Sequence, residues 1–272
     1  MKKIIAIFMV LAMGISMVAC TTANTTETPE ATKTPAATAP ATFVDTKSEG
    51  VMTYAQYAAA EFDTQVVIEA YIQAKQGWWV NDKNVGVATF YTQDTEGAYL
   101  LYDMPCSEED YNNKLTVGTK VKVTGYKATW GGVVEIIDAT YEVIEGATYV
   151  APAMDATNLL GSEDLVNHMI KKVAFKGMTV VASTNKEGVE SAFLYNWDGS
   201  GTQGNDIYFN AKTADGKVCT FVIESYLTGK DTDVYKAAEA LTIGSVIDLE
   251  GLLYWYETNP QPHITTITTV NQ

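Results

Sequence analysis

The sequence contains no arginine: all 18 basic residues are lysine. Arginine is the side chain that meets phosphates and guanine edges with a rigid two-pronged donor. That mode of recognition is excluded. Histidine is nearly as scarce, with 2 copies, His168 and His263. Neither stands at a zinc spacing from a cysteine or from the other histidine. Both are read as structural, one on a helix and one opening a strand after proline. Cysteine numbers 3. Cys20 belongs to a leader, and Cys106 and Cys219 fall at non-matching positions of a repeat, so no disulfide is expected between them. Enzyme signatures are missing too: no glycine-flanked nucleophilic serine, no phosphate-cradling glycine loop, no Glu-flanked histidine pair. No catalytic residue, metal ligand or cofactor is assigned, and the chain is not read as an enzyme. The run Asp198-Gly-Ser-Gly-Thr-Gln-Gly-Asn-Asp206 is oxygen-rich but lacks the EF-hand spacing and its closing glutamate. It is read as a plain loop.

Long apolar runs are confined to the N-terminus. Met1-Lys-Lys is followed by an apolar stretch from Ile4 to Met17 that is short for a membrane span. It ends in Met17-Val-Ala-Cys20, which resembles the lipobox of bacterial lipoproteins, with Met17 where that family favours leucine. The resemblance implies lipidation at Cys20, cleavage before it, and a protein anchored by lipid on the extracytoplasmic face of a cell membrane. Removal of residues 1–20 leaves 16 lysines against 33 acidic residues, a net charge of −17. A surface of that sign repels polyanions, so nucleic acid is disfavoured as a partner. Residues 21–48 are Thr, Ala and Pro with scattered charge and read as an extended linker.

The rest is organised around a repeat. Leu115-Thr-Val-Gly-Thr-Lys-Val-Lys-Val-Thr-Gly125 recurs as Leu241-Thr-Ile-Gly-Ser-Val-Ile-Asp-Leu-Glu-Gly251. Leu, Thr and both Gly are identical, which points to a duplication. Each copy reads as a helix end, a glycine turn and an alternating strand. In residues 49–150 a short helix over Met52–Phe62, capped by Thr53, precedes strands at Gln65–Ala74, Val85–Gln93 and Ala98–Met104. A helix from Ser107 to Leu115, the repeat strand and a strand at Val133–Val143 follow. Residues 151–272 repeat the order: a lead helix within Asp155–Met169, a strand at Lys172–Ala182, and a long loop to Asn205. A hairpin about Asp215-Gly216, a helix from Thr232 to Leu241, the repeat strand and a strand at His263–Val270 complete it. Three strands, a helix and two strands is the order of a five-stranded Greek-key OB barrel. The fold class expected is all-β with short helices: two tandem OB-like barrels, at 49–150 and 151–272.

The segments Tyr54-Ala-Gln-Tyr-Ala-Ala-Ala-Glu61, Leu115 to Tyr126 and Val134-Glu-Ile-Ile137 make the chain resemble OB-fold modules of uncharacterised bacterial surface lipoproteins, similar to bacterial OB and anticodon-binding-type families. The resemblance is at the level of fold and brings no catalytic motif.

OB barrels bind ligands on the face of strands two and three, flanked by the loops after strands one and four. All 5 tryptophans fall in those loops. Trp78 and Trp79 lie in the first barrel's earlier loop and Trp130 in its later one. The second barrel has Trp197 in the earlier loop, and Tyr254, Trp255 and Tyr256 in the later. Tyr91, Tyr102 and Tyr208 are strand-face candidates. Aromatic rings there stack on sugars, bases or peptide groups. Trp78 and Trp79 are neighbours in extended chain and point opposite ways, so one at most faces a ligand. The reading is a lipid-anchored binding protein whose aromatic loops take a glycan or an envelope protein. A single-stranded nucleic-acid binder and a structural subunit of the envelope are the alternatives.

Overall fold

The computed structural model describes residues 43–270. Cys20 and most of the stretch read as linker lie outside the described residues. Both barrels lie in one compact unit that begins at Val44.

The first barrel is built from β1 (Gln65–Lys75), β2 (Gly86–Gln93), β3 (Ala98–Pro105), β4 (Thr119–Trp130) and β5 (Val133–Thr148). β1 pairs with β2 and β4, β2 with β3, β4 with β5, and β3 closes on β5 in parallel through Leu101 and Ile136. The second barrel repeats this with β6 (Lys172–Val181), β7 (Ile207–Lys212), β8 (Val218–Ile223), β9 (Val246–Leu252) and β10 (His263–Thr269). β8 closes on β10 in parallel through Val222 and His263. The chain is therefore mostly β, with two closed five-stranded OB barrels and short helices.

The repeat glycines show why the duplicated sequence folds twice. Gly118 and Gly244 each take φ +91°, the left-handed turn that starts β4 and β9. Gly125 and Gly251 sit at register shifts where these strands cross the last strand. A Cβ at Gly251 would lie 2.2 Å from the His263 carbonyl oxygen, and one at Gly125 2.8 Å from that of Ile137. Both bends need a residue without a side chain.

Each barrel has its own core. Val66, Ile68, Ala70 and Ile72 alternate inward along β1. In the second barrel Phe221 stacks on Phe209 at 5.5 Å and meets Phe175 edge-on at 5.2 Å. Helix α1 (Tyr54–Ala59) starts at a capping box between Thr53 and Gln56. Lys127 of β4 donates to the carbonyls of Tyr57, Ala58 and Ala60 at its end, satisfying the acceptors a helix leaves open. Helices α2 (Glu108–Asn113) and α3 (Asp233–Glu239) start at Ser107 and Thr232 as read. Lys120 is buried against Glu69 at 3.0 Å and Asp45 at 3.1 Å, while Lys47 pairs with Asp94 at 2.7 Å. Residues 44–48 are thereby laced onto β1.

The lead helix expected within Asp155–Met169 does not form. Two 3-10 turns, Thr157–Leu159 and Glu163–His168, stand in its place. Gly161 separates them at φ +73°, a conformation that ends a right-handed turn. Ser162 still caps the second turn through Asp164 N–H. Among the described residues no helix is long and apolar enough to cross a membrane.

Candidate ligand groove between the barrels

The second barrel docks on the β2–β3 face of the first. Tyr91, Ala98, Leu100 and Val133 of the first barrel form one buried cluster with Ile170 and Leu252 of the second. Tyr91 is therefore no ligand-facing ring. It is fully buried, and its hydroxyl is 2.9 Å from Nδ1 of His263. Burial pulls His263 down to about 3, so it is neutral at ordinary pH. Tyr254 stacks on the other side of that imidazole at 4.2 Å. These rings hold the barrels together, and the reason lies in tertiary docking that strand alternation does not encode.

Docking moves the accessible rings to the rim. A groove of about 620 Å³ runs between the barrels, lined by Gln76, Trp79, Tyr102 and Asp103 on one side and Tyr226 on the other. Trp79 is 47% exposed, Tyr102 48% and Tyr226 75%. Trp78 lines the groove as well, while its indole N–H donates to the Cys106 carbonyl at 3.0 Å. Tyr102 and Asp103 project because they form a bulge opposite Thr89, with Asp103 at φ +42°. The wall is tied across the barrels by Gly77 N–H to Tyr226 O at 2.9 Å and by Gln76 to Glu224 at 3.1 Å.

Two carboxyls lie beside the groove. Burial, and then Asp103, push Glu135 up to about 7; burial, and then Asp206, do the same to Glu224. Tyr254 is within electrostatic reach of Glu135, Glu224, Tyr102 and Tyr256, so acids and rings of both barrels converge around it. Tyr208, half-buried, is pushed up to about 12 by burial, Asp206 and Glu224. Further along the interface Trp130, 60% exposed, meets Tyr256 at 5.9 Å. Trp255 turns into a separate cleft of the second barrel, and Trp197 stands alone on its loop, 75% exposed.

Of the residues expected to bind, Trp78, Trp79 and Tyr102 line the groove, and Tyr254, Tyr256 and Trp130 extend along the same interface. Trp197 and Trp255 do not join them. Tyr226, Glu135 and Glu224 were not foreseen. Tyr226 follows β8 on a segment that carries no ligand in a single barrel, and only docking brings it opposite Trp79. Cys106 and Cys219 are free and buried. Among the described residues no group of His, Cys, Asp or Glu is placed to hold a metal. The acids of the 198–206 loop are engaged elsewhere: Asp198 accepts from Ser200 N–H, and Asp206 from Ser225.

No family model matches the chain, and no curated protein does. Solved structures do. A murine DNA-binding protein bound with double-stranded DNA is 6% identical, with 76% of this chain and 99% of that chain covered and a TM-score of 0.37. A Replication Protein A heterotrimer bound to single-stranded DNA is 8% identical, covering 83% and 51%, at 0.30. A deletion mutant of the single-stranded DNA-binding protein from Thermus aquaticus is 8% identical, covering 76% and 94%, at 0.24. Two of these three structures are DNA complexes, which stands against the expectation that nucleic acid is disfavoured as a partner.

Proposed function

We propose that this protein works by binding, not catalysis, and holds a chain of rings in the groove between its barrels. The observation that supports this is the placement of Trp79, Tyr102 and Tyr226, three accessible rings from both barrels around one groove. Base stacking on such platforms is worth ~1–3 kcal/mol per ring and tolerates sequence. The first reading of the ligand is single-stranded nucleic acid, gripped through its bases. No lysine lines the groove, so few counterions leave when the strand binds. The slope of log K against log salt, about −0.7 per phosphate neutralised, is then close to zero.

The second reading is a glycan, favoured by Gln76 and Asp103, which line the groove beside the rings. Carboxyls beside exposed rings accept from sugar hydroxyls while the rings cover sugar faces. In either case the lipid on Cys20 would hold the groove outside the cytoplasm.

A fluorescence titration decides between them. A thymidine oligomer and a neutral oligosaccharide are titrated at low and high salt into the wild type and Trp79→Ala. Saturation by the oligomer with a flat salt response, lost in Trp79→Ala, supports the first reading. Saturation by the sugar alone selects the second. A response to neither, or one unchanged in Trp79→Ala, overturns the groove. Anchoring is tested separately: fatty-acid labelling of the cells' protein should disappear in Cys20→Ala.

A further inference from the structure

The second barrel carries a cleft of about 730 Å³, well apart in character from the inter-barrel groove. It lies where β8 meets the loop between β9 and β10, with the Glu163–His168 turn as its outer wall. We propose that this cleft is a separate binding site for a neutral saccharide, with one sugar ring lying on Trp255.

The orientation of Trp255 follows from its neighbour. Trp255 and Tyr256 are successive residues of a two-residue strand paired with Asn259 and Pro260. Their rings must leave opposite faces. Tyr256 goes to Trp130 of the first barrel. Trp255 goes into the cleft, its inner edge packed on the second barrel's core and the rest accessible. A ring anchored on one side and open on the other is a stacking platform.

The rest of the lining fixes the chemistry. In a chain with a net charge of −15, this cleft has one charged side chain, Glu163. No lysine lines it; Lys217, whose side chain passes Gly161 at its edge, is paired with Asp215 at 3.6 Å, so an anionic ligand finds no free counter-charge. One carboxylate and one ring fall short of the cage that holds a quaternary ammonium. What remains are short neutral donors and acceptors: Ser162, Thr220 and the amide of Gln261, which makes no hydrogen bond to the described residues. Leu165 and Pro260 supply apolar wall. An aromatic floor, apolar walls and a few neutral polar groups, in a space of ~300–1,000 Å³, is the make-up of a small-ligand site. A sugar offers the matching surface, an apolar ring face edged by hydroxyls.

The inference goes beyond the groove, and the two can fail independently. The test follows the tryptophan indole N–H signals by NMR in the full chain, with Trp255→Phe identifying one of them. Cellobiose and N,N′-diacetylchitobiose are the sugar probes; choline and a thymidine oligomer are the charged ones. The expected result is a saturable shift of the Trp255 signal with a sugar, while the signals of Trp79 and Trp130 stay put. Gln261→Ala, which leaves the fold alone, should weaken that binding by about tenfold, the loss of one hydrogen bond. Three results would overturn the proposal: a Trp255 signal unmoved by both sugars, a shift unchanged in Gln261→Ala, or a shift produced by choline or the oligomer instead.

Discussion

Stability should rise as the pH falls from about 8 to about 5, against the usual behaviour of acidic proteins. Three buried groups decide this. Glu135 and Glu224 are held at about 7 in the fold, against 4.5 when free. For a carboxyl raised on folding, the stabilising contribution is present in full below 4.5 and is lost as pH rises through about 7. His263 is held at about 3 against 6.5. Its contribution is complete above 6.5 and is lost as pH falls towards 3. At ~1.36 kcal/mol per pH unit, acidification to about pH 5 restores up to about 2.7 kcal/mol for each carboxyl, about 5 in all. The histidine removes about 2 over the same interval. The net gain is about 3 kcal/mol; Asp103, also raised, adds to it, and His168, lowered by burial, acts against it. For a unit of this size that corresponds to roughly 6–12 °C in Tm. The assay is thermal melting followed by circular dichroism across that range. Glu224→Gln removes one of the two carboxyls, so its net gain should shrink to about 1 kcal/mol or less, and it should melt higher than wild type at about pH 8. A wild-type Tm that is flat or falls between pH 8 and 5 would refute the reasoning. So would an undiminished rise in both Glu224→Gln and Glu135→Gln.

The repeat turns supply a paired experiment: Gly244→Ala should cost about 1–2 kcal/mol for its left-handed φ alone. Gly118→Ala should cost more, because its Cβ would also lie 2.8 Å from Thr148 Oγ1; urea midpoints compare the two. Gly251→Ala drives a methyl to 2.2 Å from a backbone oxygen and should lose about 3 kcal/mol or more by the same measurement. Tyr91→Phe leaves Nδ1 of His263 buried without its partner and should cost about 1–3 kcal/mol, with the loss read as a drop in urea midpoint at constant m.

The architecture was legible because its signals are local. The spacing of Leu115, Gly118 and Gly125 recurs at Leu241, Gly244 and Gly251, and both glycines of each copy answer a backbone demand. Thr53, Ser107 and Thr232 are caps that act within three residues. The lead helix failed for an equally local reason, since a glycine in the middle of Asp155–Met169 took the left-handed region. The site was legible only in part. Loop position singled out Trp79 and Trp130; adjacency led to the expectation that Trp78 and Trp79 point opposite ways, yet both line the groove, with Trp78 tied to the Cys106 carbonyl. Tyr91 looked like a ligand-facing ring because alternation places it outside its own barrel, and it is outside; the second barrel covers it. Tyr226, Glu135 and Glu224 belong to the groove through the same docking, which no sequence period records.

The docked face raises a question of why the acids are there. The contact between the barrels is apolar at its centre, with Tyr91, Leu100, Ile170 and Leu252 excluding water. Extending that apolar surface to the positions of Glu135 and Glu224 would stabilise the pair, since buried ionisable groups seldom repay their desolvation. The chain instead keeps two carboxyls whose charged forms the fold opposes at neutral pH. Both are within electrostatic reach of Tyr254, and Glu135 also of Tyr102. Perturbed acids gather at binding and reacting sites, and local rules are broken where a site needs them broken. Packing explains Tyr91 and His263 completely: both are satisfied and out of reach. Glu224 is satisfied too, accepting from the Gln76 amide and from Tyr226 N–H at 3.1 Å each; packing does not explain Glu135, Trp79 or Tyr226. A ligand lying across the rim accounts for Trp79 and Tyr226, because it would cover both exposed rings in one placement.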